Sequence, residues 1–102
     1  CTMPDVEHIL HEILFEWDSR KAGSNLRKHG LHFESACEVF FDPFLLAVEE
    51  DETVAGELRE KVIGLTRGWK LLYVVYVMRE DRIRLVSARE ATAAERLLYE
   101  TQ

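Results

Sequence analysis

The spacing of apolar residues in the first part of the chain predicts three helices and one strand. The predicted elements are a helix over 4–11, a strand over 13–17, a helix over 19–29 and a helix over 33–41. Asp18 is a suitable N-cap residue for the second helix, in which Ala22 and Leu26 are expected to face the core. The third helix repeats apolar residues at i, i+3, i+4, i+7 and i+8 and should end at Asp42-Pro43.

The middle of the chain is rich in β-branched and aromatic residues and predicts strands. These are Phe44–Val48, Lys61–Thr66, Leu71–Met78 and Arg82–Ser87, with an acidic loop over 49–58 after the first. The run Leu71–Met78 is continuously apolar, as expected of a central strand covered on both faces. In the last strand Ile83 and Leu85 alternate with arginines, so one face should be core and the other cationic.

A capping box formed by Thr92 and Glu95 begins a C-terminal helix, with Leu97 and Leu98 as its expected apolar contacts. The order of elements predicts an α+β fold in which helices pack against a mainly antiparallel sheet. The 102 residues are expected to form a single domain, with residues 1–12 as a helical N-terminal extension.

Composition excludes several classes of protein. The longest apolar run is too short to span a membrane, and a content of 47% hydrophobic and 31% charged residues is typical of a globular chain. Two cysteines make neither a disulfide framework nor a zinc site, and Cys37 is predicted to be a buried core residue. These features favour a cytosolic protein.

Charge is unevenly distributed along the chain. The formal net charge of −6 argues against indiscriminate nucleic-acid binding. Residues 33–60 contain nine acidic residues against Arg59 alone, whereas residues 67–89 contain six basic residues against two acidic ones. A basic surface is therefore expected despite the acidic total.

A polar stripe runs along the second predicted helix. Lys21, Asn25, Lys28 and His29 lie at i, i+4, i+7 and i+8, about one turn apart. Lysines neutralise phosphate and histidine transfers protons near neutral pH, so the stripe suggests a phosphate-bearing partner. The alternative for the last two residues is that they end the helix, because cations suit its C-terminus and Gly30 suits a left-handed cap. That alternative does not explain the first two.

His8, His11 and Glu12 are the nearest approach to a metal site. No third ligand has a convincing place beside the two histidines, so the sequence predicts neither a metal nor a cofactor.

A series of short motifs runs in order along most of the chain. They are Phe15-Glu16-Trp17-Asp18 with Lys21, Asn25 with Lys28-His29-Gly30, Phe33-Glu34 with Ala36, Val39-Phe40, Asp42-Pro43, Gly56-Glu57 with Arg59, Ile63-Gly64, Ile83-Arg84-Leu85-Val86-Ser87-Ala88-Arg89, and Ala91-Thr92 with Glu95-Arg96 and Tyr99. Together they resemble the BrnT family, the toxin component of bacterial type II toxin–antitoxin pairs. Each motif alone is weak, but the ordered set is specific.

The resemblance implies a RelE-like fold and metal-independent RNA cleavage that inhibits translation. It also implies neutralisation by a BrnA-like antitoxin with a ribbon-helix-helix DNA-binding domain. The expected partners are therefore RNA and this antitoxin, with operator DNA contacted only through the antitoxin and no membrane involved.

Cleaving RNA without a metal needs a base for the 2′-hydroxyl, cations for the phosphorane and an acid for the 5′-oxygen. Arginine suits the cationic role because its planar fork meets two phosphate oxygens and stays charged. We predict that folding gathers three catalytic residues into one pocket, with Arg84 and Arg89 as phosphate clamps and His29 as the acid–base group. The predicted substrate-binding residues are Lys21, Asn25, Lys28, Arg82, Glu57 and Tyr99.

Four of these residues also have a structural interpretation. Arg84 fits a solvated strand face, His29 fits a helix end, Glu57 fits an acidic surface loop and Tyr99 fits side-chain packing. At the level of function, the alternative to a ribonuclease is a non-catalytic module whose cationic face binds an acidic partner segment. A divergent toxin that is inactive but still binds its antitoxin is a third interpretation.

Overall fold

Six strands and three α-helices make up the part of the chain that the structure describes. The computed structural model describes residues 5–102, except for the side chains of residues 49 and 50. The elements are β1 (Asp5–Leu10), β2 (Ile13–Asp18), α1 (Ser19–His29), α2 (Phe33–Ala36), a 3₁₀ helix (Cys37–Phe41), β3 (Leu46–Val54), β4 (Glu57–Leu65), β5 (Leu71–Arg79), β6 (Arg82–Glu90) and α3 (Ala93–Glu100). The sheet order is β1-β2-β6-β5-β4-β3, and only the β2–β6 pairing is parallel. The predicted α+β fold with a mainly antiparallel sheet is confirmed.

The N-terminal segment is a strand, so the helix predicted over 4–11 is wrong. β1 pairs antiparallel with β2 along its whole length, and a two-residue turn at His11-Glu12, both with positive φ, joins them. Exposed and half-buried side chains alternate along β1, which is the periodicity of a strand. The helical extension expected over 1–12 is therefore a strand and a turn from residue 5 onward, and Pro4, where the predicted helix began, lies outside the described residues.

The helix predicted over 19–29 is confirmed together with both of its caps. The Asp18 side chain accepts a hydrogen bond of 2.8 Å from the Arg20 N–H at the N-terminus of α1. At the other end Gly30 adopts φ 68 and donates its N–H to the Leu26 carbonyl. Ala22 packs against the core as predicted, but Leu26 is 39% exposed and lies outside the core, so its predicted burial is wrong.

The helix predicted over 33–41 changes type halfway. It begins as α2 and continues from Cys37 as a 3₁₀ helix, which ends at Asp42 as predicted. Phe33, Ala36 and Cys37 are buried, so the apolar periodicity identified the core-facing side correctly. Burial raises the pKa of the Cys37 thiol to about 12.

The acidic segment predicted as a loop over 49–58 is instead parts of two strands and the turn between them. β3 extends well beyond the predicted 44–48, and β4 begins at Glu57, ahead of the predicted start. Ala55 and Gly56 form the turn with φ values of 53 and 82. β3 is an edge strand of the sheet, where the exposed carboxylates of Asp51 and Glu52 also discourage pairing with other chains.

Two hydrophobic clusters lie on opposite faces of the sheet. Leu72 and Val74 of β5 belong to the larger cluster, beneath α1, α2 and the 3₁₀ helix. Leu71 and Tyr73 belong to the smaller one, on the side of α3. β5 is thus covered on both faces over its first residues, as predicted, although Met78 near its end is exposed.

The capping box predicted for α3 is present, with reciprocal bonds between Thr92 and Glu95. Leu97 and Leu98 are exposed, so their predicted packing is wrong, and Tyr99 packs against the smaller cluster instead. Within residues 5–102 no helix is long and apolar enough to cross a membrane.

Candidate active site

The arginines of β6 project from the sheet face that lies opposite α1. Arg82 and Arg84 alternate with core residues such as Leu85, which pack beneath the helices on the other side. An irregularity in the β5–β6 register shifts this alternation, so Arg89 falls on the same face as the other two. The Arg89 guanidinium lies 4.1 Å from the centroid of the Tyr73 ring.

Glu16 is the buried centre of this face, with an exposed fraction of only 7%. The parallel β2–β6 pairing places it beside Arg84. Its carboxylate accepts hydrogen bonds of 3.1 Å from both Arg82 and Arg84, and Arg79 approaches to 3.9 Å. Glu16, Arg79, Arg82 and Arg84 are called the Glu16 cluster below. Neither Glu16 nor Arg79 was among the predicted site residues, although the position of Glu16 between two aromatic core residues was a usable signal.

Carboxylates from β1 also bind the β6 arginines. Asp5 accepts a hydrogen bond of 3.3 Å from Arg84, and Glu7 accepts one of 2.9 Å from Arg82. Arg82 further donates from Nε to Asp81 at 3.0 Å. Arg84, a predicted phosphate clamp, and Arg82, a predicted substrate-binding residue, are therefore already paired with the chain's own acidic residues.

Glu57 lies at the margin of the Glu16 cluster. Its carboxylate is 2.8 Å from Nη2 of Arg79, at the end of β5. A shallow depression of about 360 Å³ opens beside these residues, lined in part by Glu16, Arg79 and Arg82. The structure thus pairs Glu57 with Arg79 of the Glu16 cluster, a proximity that the sequence did not reveal.

Arg89 joins β6 to α3. It forms a bidentate ion pair with Glu95, with distances of 2.8 and 2.9 Å. The Arg89 guanidinium lowers the pKa of the Glu95 carboxyl, which also accepts the Thr92 N–H of the capping box. This geometry fixes the start of α3 against the sheet.

Tyr99 joins α3 to the segment after the 3₁₀ helix. Its hydroxyl donates to Asp42, which also accepts the backbone N–H groups of Phe44 at 2.9 Å and Leu65 at 2.8 Å. Burial and the neighbouring carboxylate raise the pKa of Tyr99 to about 12. Burial alone would raise the pKa of Asp42, but the three bonds that it accepts lower it below its usual value.

Asn25 does not share the exposed surface of the other stripe residues. It is 6% exposed, and its Oδ1 accepts the N–H of Ala88 in β6 at 3.0 Å. Its Nδ2 donates to the Leu31 carbonyl at 3.4 Å. The side chain therefore ties α1 to β6 and to the loop after the helix.

Lys21, Lys28 and His29 are exposed on α1. Because α1 packs on the face of β6 and β2 that is opposite the guanidinium groups, the structure does not gather His29 with Arg84 and Arg89. The two arginines share one face, and the histidine lies on the helix side. Their catalytic and binding roles stay predictions.

His8 of β1 and His11 of the turn that follows it take part in aromatic packing. The His8 ring centroid is 5.8 Å from that of Trp17, and His11 meets the Phe41 ring edge-on at 4.8 Å. Among residues 5–102 no three His, Cys, Asp or Glu side chains are placed to hold a metal ion together.

Comparisons with known proteins identify the family. A family model described as "Ribonuclease toxin, BrnT, of type II toxin-antitoxin system" matches residues 17–95. The crystal structure of the Brucella abortus ribonuclease toxin BrnT is similar, with a TM-score of 0.55 and 27% identity over 74% of this chain and 92% of that chain. No curated protein matches the sequence. Since the family model spans well over half of the sequence, this chain belongs to the BrnT family of ribonuclease toxins of type II toxin–antitoxin systems.

Proposed function

We propose that this protein is an endoribonuclease that cleaves RNA without a metal ion, and that a BrnA-like ribbon-helix-helix antitoxin neutralises it in the cytoplasm. The family match over residues 17–95 carries the proposal. The grouping of Arg79, Arg82 and Arg84 around a buried carboxylate supports it, because metal-independent cleavage needs cations held in fixed positions.

The reaction moves two protons and passes through one highly charged phosphorane. The 2′-oxygen attacks phosphorus while its proton passes to a base. The bond from phosphorus to the 5′-oxygen then breaks, and an acid protonates that oxygen, which leaves a 2′,3′-cyclic phosphate and a 5′-hydroxyl. Guanidinium groups that are already oriented stabilise the phosphorane without reorganising as its charge develops.

Arg84 is the arginine best suited to bind the phosphate. Two of its five N–H groups donate to Glu16 and Asp5, which leaves three for phosphate oxygens. Arg82 has fewer to offer, because its Nε, Nη1 and Nη2 atoms all donate to carboxylates. We therefore give Arg84 the main phosphate-binding role and Arg82 a supporting one.

Glu57 is the carboxylate that we propose for proton transfer, since it is exposed and adjoins Arg79. His29 would serve only a cleavage site on the helix side of the sheet, remote from Arg84, where Lys21 and Lys28 would attract the RNA backbone. Arg89 would act as a positioning residue, because its bidentate ion pair holds α3 against the sheet.

RNA degradation by the purified protein in the presence of EDTA tests this proposal. We expect Arg84→Ala to reduce cleavage on the order of 10²–10³-fold, as when one charge-stabilising donor is removed from an active site. Arg84→Lys should recover little, since an ammonium lacks the planar fork. Arg96→Ala, which removes an exposed arginine from α3, is the matched control.

Two outcomes would contradict different parts of the proposal. Unimpaired cleavage by the Arg84→Ala protein would refute the site, and a parent protein that leaves RNA intact would refute the activity. Glu57→Gln and His29→Ala then separate the acid–base candidates, because only loss of the group that transfers the proton should lower kcat.

Growth arrest on expression in a bacterium, relieved by the adjacent small gene, tests the antitoxin.

One observation favours the alternative of a non-catalytic module: Asp5 and Glu7 already occupy the β6 arginines as an acidic partner segment would. Such a module would leave both RNA and growth unaffected. An inactive toxin would still bind the antitoxin.

A further inference from the structure

A cleft lies at the end of the sheet where β4 turns into β5. Its volume is about 410 Å³, and its walls come from Gly30, Leu31 and His32 after α1 and from Arg67, Gly68 and Lys70 of the turn, with Trp69 outside the lining. The proposed cleavage residues lie toward the other end of the same strands. Arg84 is opposite Val77, six residues along β5 from Leu71, or about 20 Å at 3.3 Å per residue.

The turn beside this cleft holds Trp69 out in the solvent. The indole is 81% exposed, whereas Trp17, the other tryptophan, is 2% exposed. Trp69 adopts φ 66, a conformation that bulky side chains rarely take. Hydrogen bonds fix it there: the Trp69 N–H donates to the Thr66 carbonyl at 3.0 Å, and the Lys70 N–H donates to the Thr66 hydroxyl at 3.2 Å. The backbone that carries the exposed ring is therefore held in place.

The cations around Trp69 differ from those of the Glu16 cluster. Arg67 and Lys70 are exposed, and no carboxylate of the described residues forms an ion pair with either side chain. Lys28, in the last turn of α1 just before the cleft wall, likewise has no such pair within this part of the chain. Glu38 also lines the cleft, and its carboxylate accepts the backbone N–H of Arg67 at 3.1 Å.

We infer that Trp69, Arg67 and Lys70 form a subsite for single-stranded RNA, in which a nucleobase stacks on the indole and the two cations hold the adjoining phosphates. The inference rests on the proposed ribonuclease function and adds a substrate contact remote from the reacting bond. Every base has a π-face, so this contact favours single strands with little sequence preference.

RNA fits this surface better than a protein partner does. Protein docking surfaces have a contiguous apolar centre, but the neighbours of Trp69 along the turn are Arg67, Gly68 and Lys70. The apolar residues of the cleft, Leu31 and Leu72, are buried and offer little surface. One aromatic ring flanked by two cations that pair with none of the described carboxylates matches the chemistry of a base next to its phosphates.

Fluorescence titration with a 2′-O-methyl uridine decamer tests the subsite, because this RNA lacks the attacking hydroxyl and is not cleaved. Stacking should quench the exposed Trp69, while the buried Trp17 provides a constant background. Trp69→Ala, assayed by anisotropy of a labelled decamer, should weaken binding about five- to 150-fold. Phe44→Ala, which removes another exposed ring, is the matched control and should not change the affinity.

Salt dependence and steady-state kinetics supply independent readouts. Arg67→Ala and Lys70→Ala should each reduce the slope of log affinity against log salt by about 0.7. In cleavage assays Trp69→Ala should raise KM and leave kcat unchanged, because the ring contacts RNA remote from the reacting phosphate. Arg84→Ala should lower kcat.

Decamer affinity that is equal in the parent and Trp69→Ala proteins would overturn the subsite, whatever the fate of cleavage. Concentration-dependent quenching of Trp69 without RNA would also overturn it, since that result assigns the ring to contact between copies of the chain. If the decamer quenches Trp69 but RNA is never cleaved, the subsite stands and the proposed ribonuclease function fails.

Discussion

The substitution Asn25→Ala decides between a structural and an RNA-binding role for this residue. Ala88 is fully buried, so its N–H loses its acceptor and stays unpaired, at a cost of about 1–3 kcal/mol. Loss of the longer bond to the Leu31 carbonyl adds about 0.5–1 kcal/mol. We expect Asn25→Ala to lower the free energy of unfolding by about 1.5–4 kcal/mol.

Asn25→Asp sharpens the same test, because it keeps the shape and changes only the donor. One carboxylate oxygen still accepts the Ala88 N–H, but the other faces the Leu31 carbonyl oxygen where an N–H stood. Burial beside that oxygen should raise the pKa of the new carboxyl in the folded state. The destabilisation should therefore be largest near neutral pH and shrink as pH falls and the carboxyl becomes a donor again.

Urea unfolding followed by far-UV circular dichroism at pH 7 and at pH 4 measures both effects. Lys21→Ala, one turn earlier on α1 and exposed, is the matched control and should change the free energy of unfolding by less than about 0.5 kcal/mol. If Asn25→Ala unfolds like the parent yet binds RNA more weakly, then Asn25 contacts RNA and the structural argument is refuted.

Three further expectations test other parts of the structure. Asp5→Asn combined with Glu7→Gln should tighten RNA binding and steepen its salt dependence, because the double substitution releases the β6 arginines from the carboxylates of β1. An unchanged slope of log affinity against log salt would contradict this. The pKa of Asp42 is lowered by folding, so its carboxylate stabilises the fold above the unfolded pKa, and this stability is lost as pH falls through the folded pKa. Asp42→Asn should therefore reduce the loss of unfolding free energy between pH 7 and pH 3, measured by urea unfolding. An equal loss in the parent and variant proteins would contradict this. Gly64→Ala places a Cβ 2.7 Å from the Cβ of Val39 in the 3₁₀ helix and should destabilise the fold by about 1–3 kcal/mol in the same assay. Gly68→Ala, whose new Cβ would have its nearest atom at 3.8 Å, is the control and should not destabilise it. Equal urea midpoints for the two variants would refute the argument from packing.

Local signals in the sequence were sufficient for the helix ends and for the β5–β6 hairpin. Asp18 and Gly30 bound α1 as predicted, and the box formed by Thr92 and Glu95 begins α3. Caps can be recognised from sequence because their hydrogen bonds join residues only two to five positions apart. The family resemblance likewise depended on the order of short motifs, and the match over residues 17–95 confirms it.

Residues that act across the sheet were the ones the sequence misplaced or missed. The apolar spacing of residues 5–10 is compatible with either a helix or a strand, and only pairing with β2 decided between them. Asn25 looked like a surface residue because nothing nearby in sequence reveals that Ala88 needs an acceptor.

The sequence by itself determined the family, the caps of α1 and α3, the core side of the helix that begins at Phe33 and the existence of a cationic strand face. Only the tertiary structure decided which cations are already neutralised, since Asp5, Glu7 and Glu16 reach Arg82 and Arg84 from strands more than sixty residues away. It also placed His29 on the side of the sheet opposite the two β6 arginines. The hydrogen bonds of a cap or turn join residues that are close in sequence, so a local pattern can predict them. The ion-pair partner of a charged side chain depends on strand order and register, which no local pattern reveals.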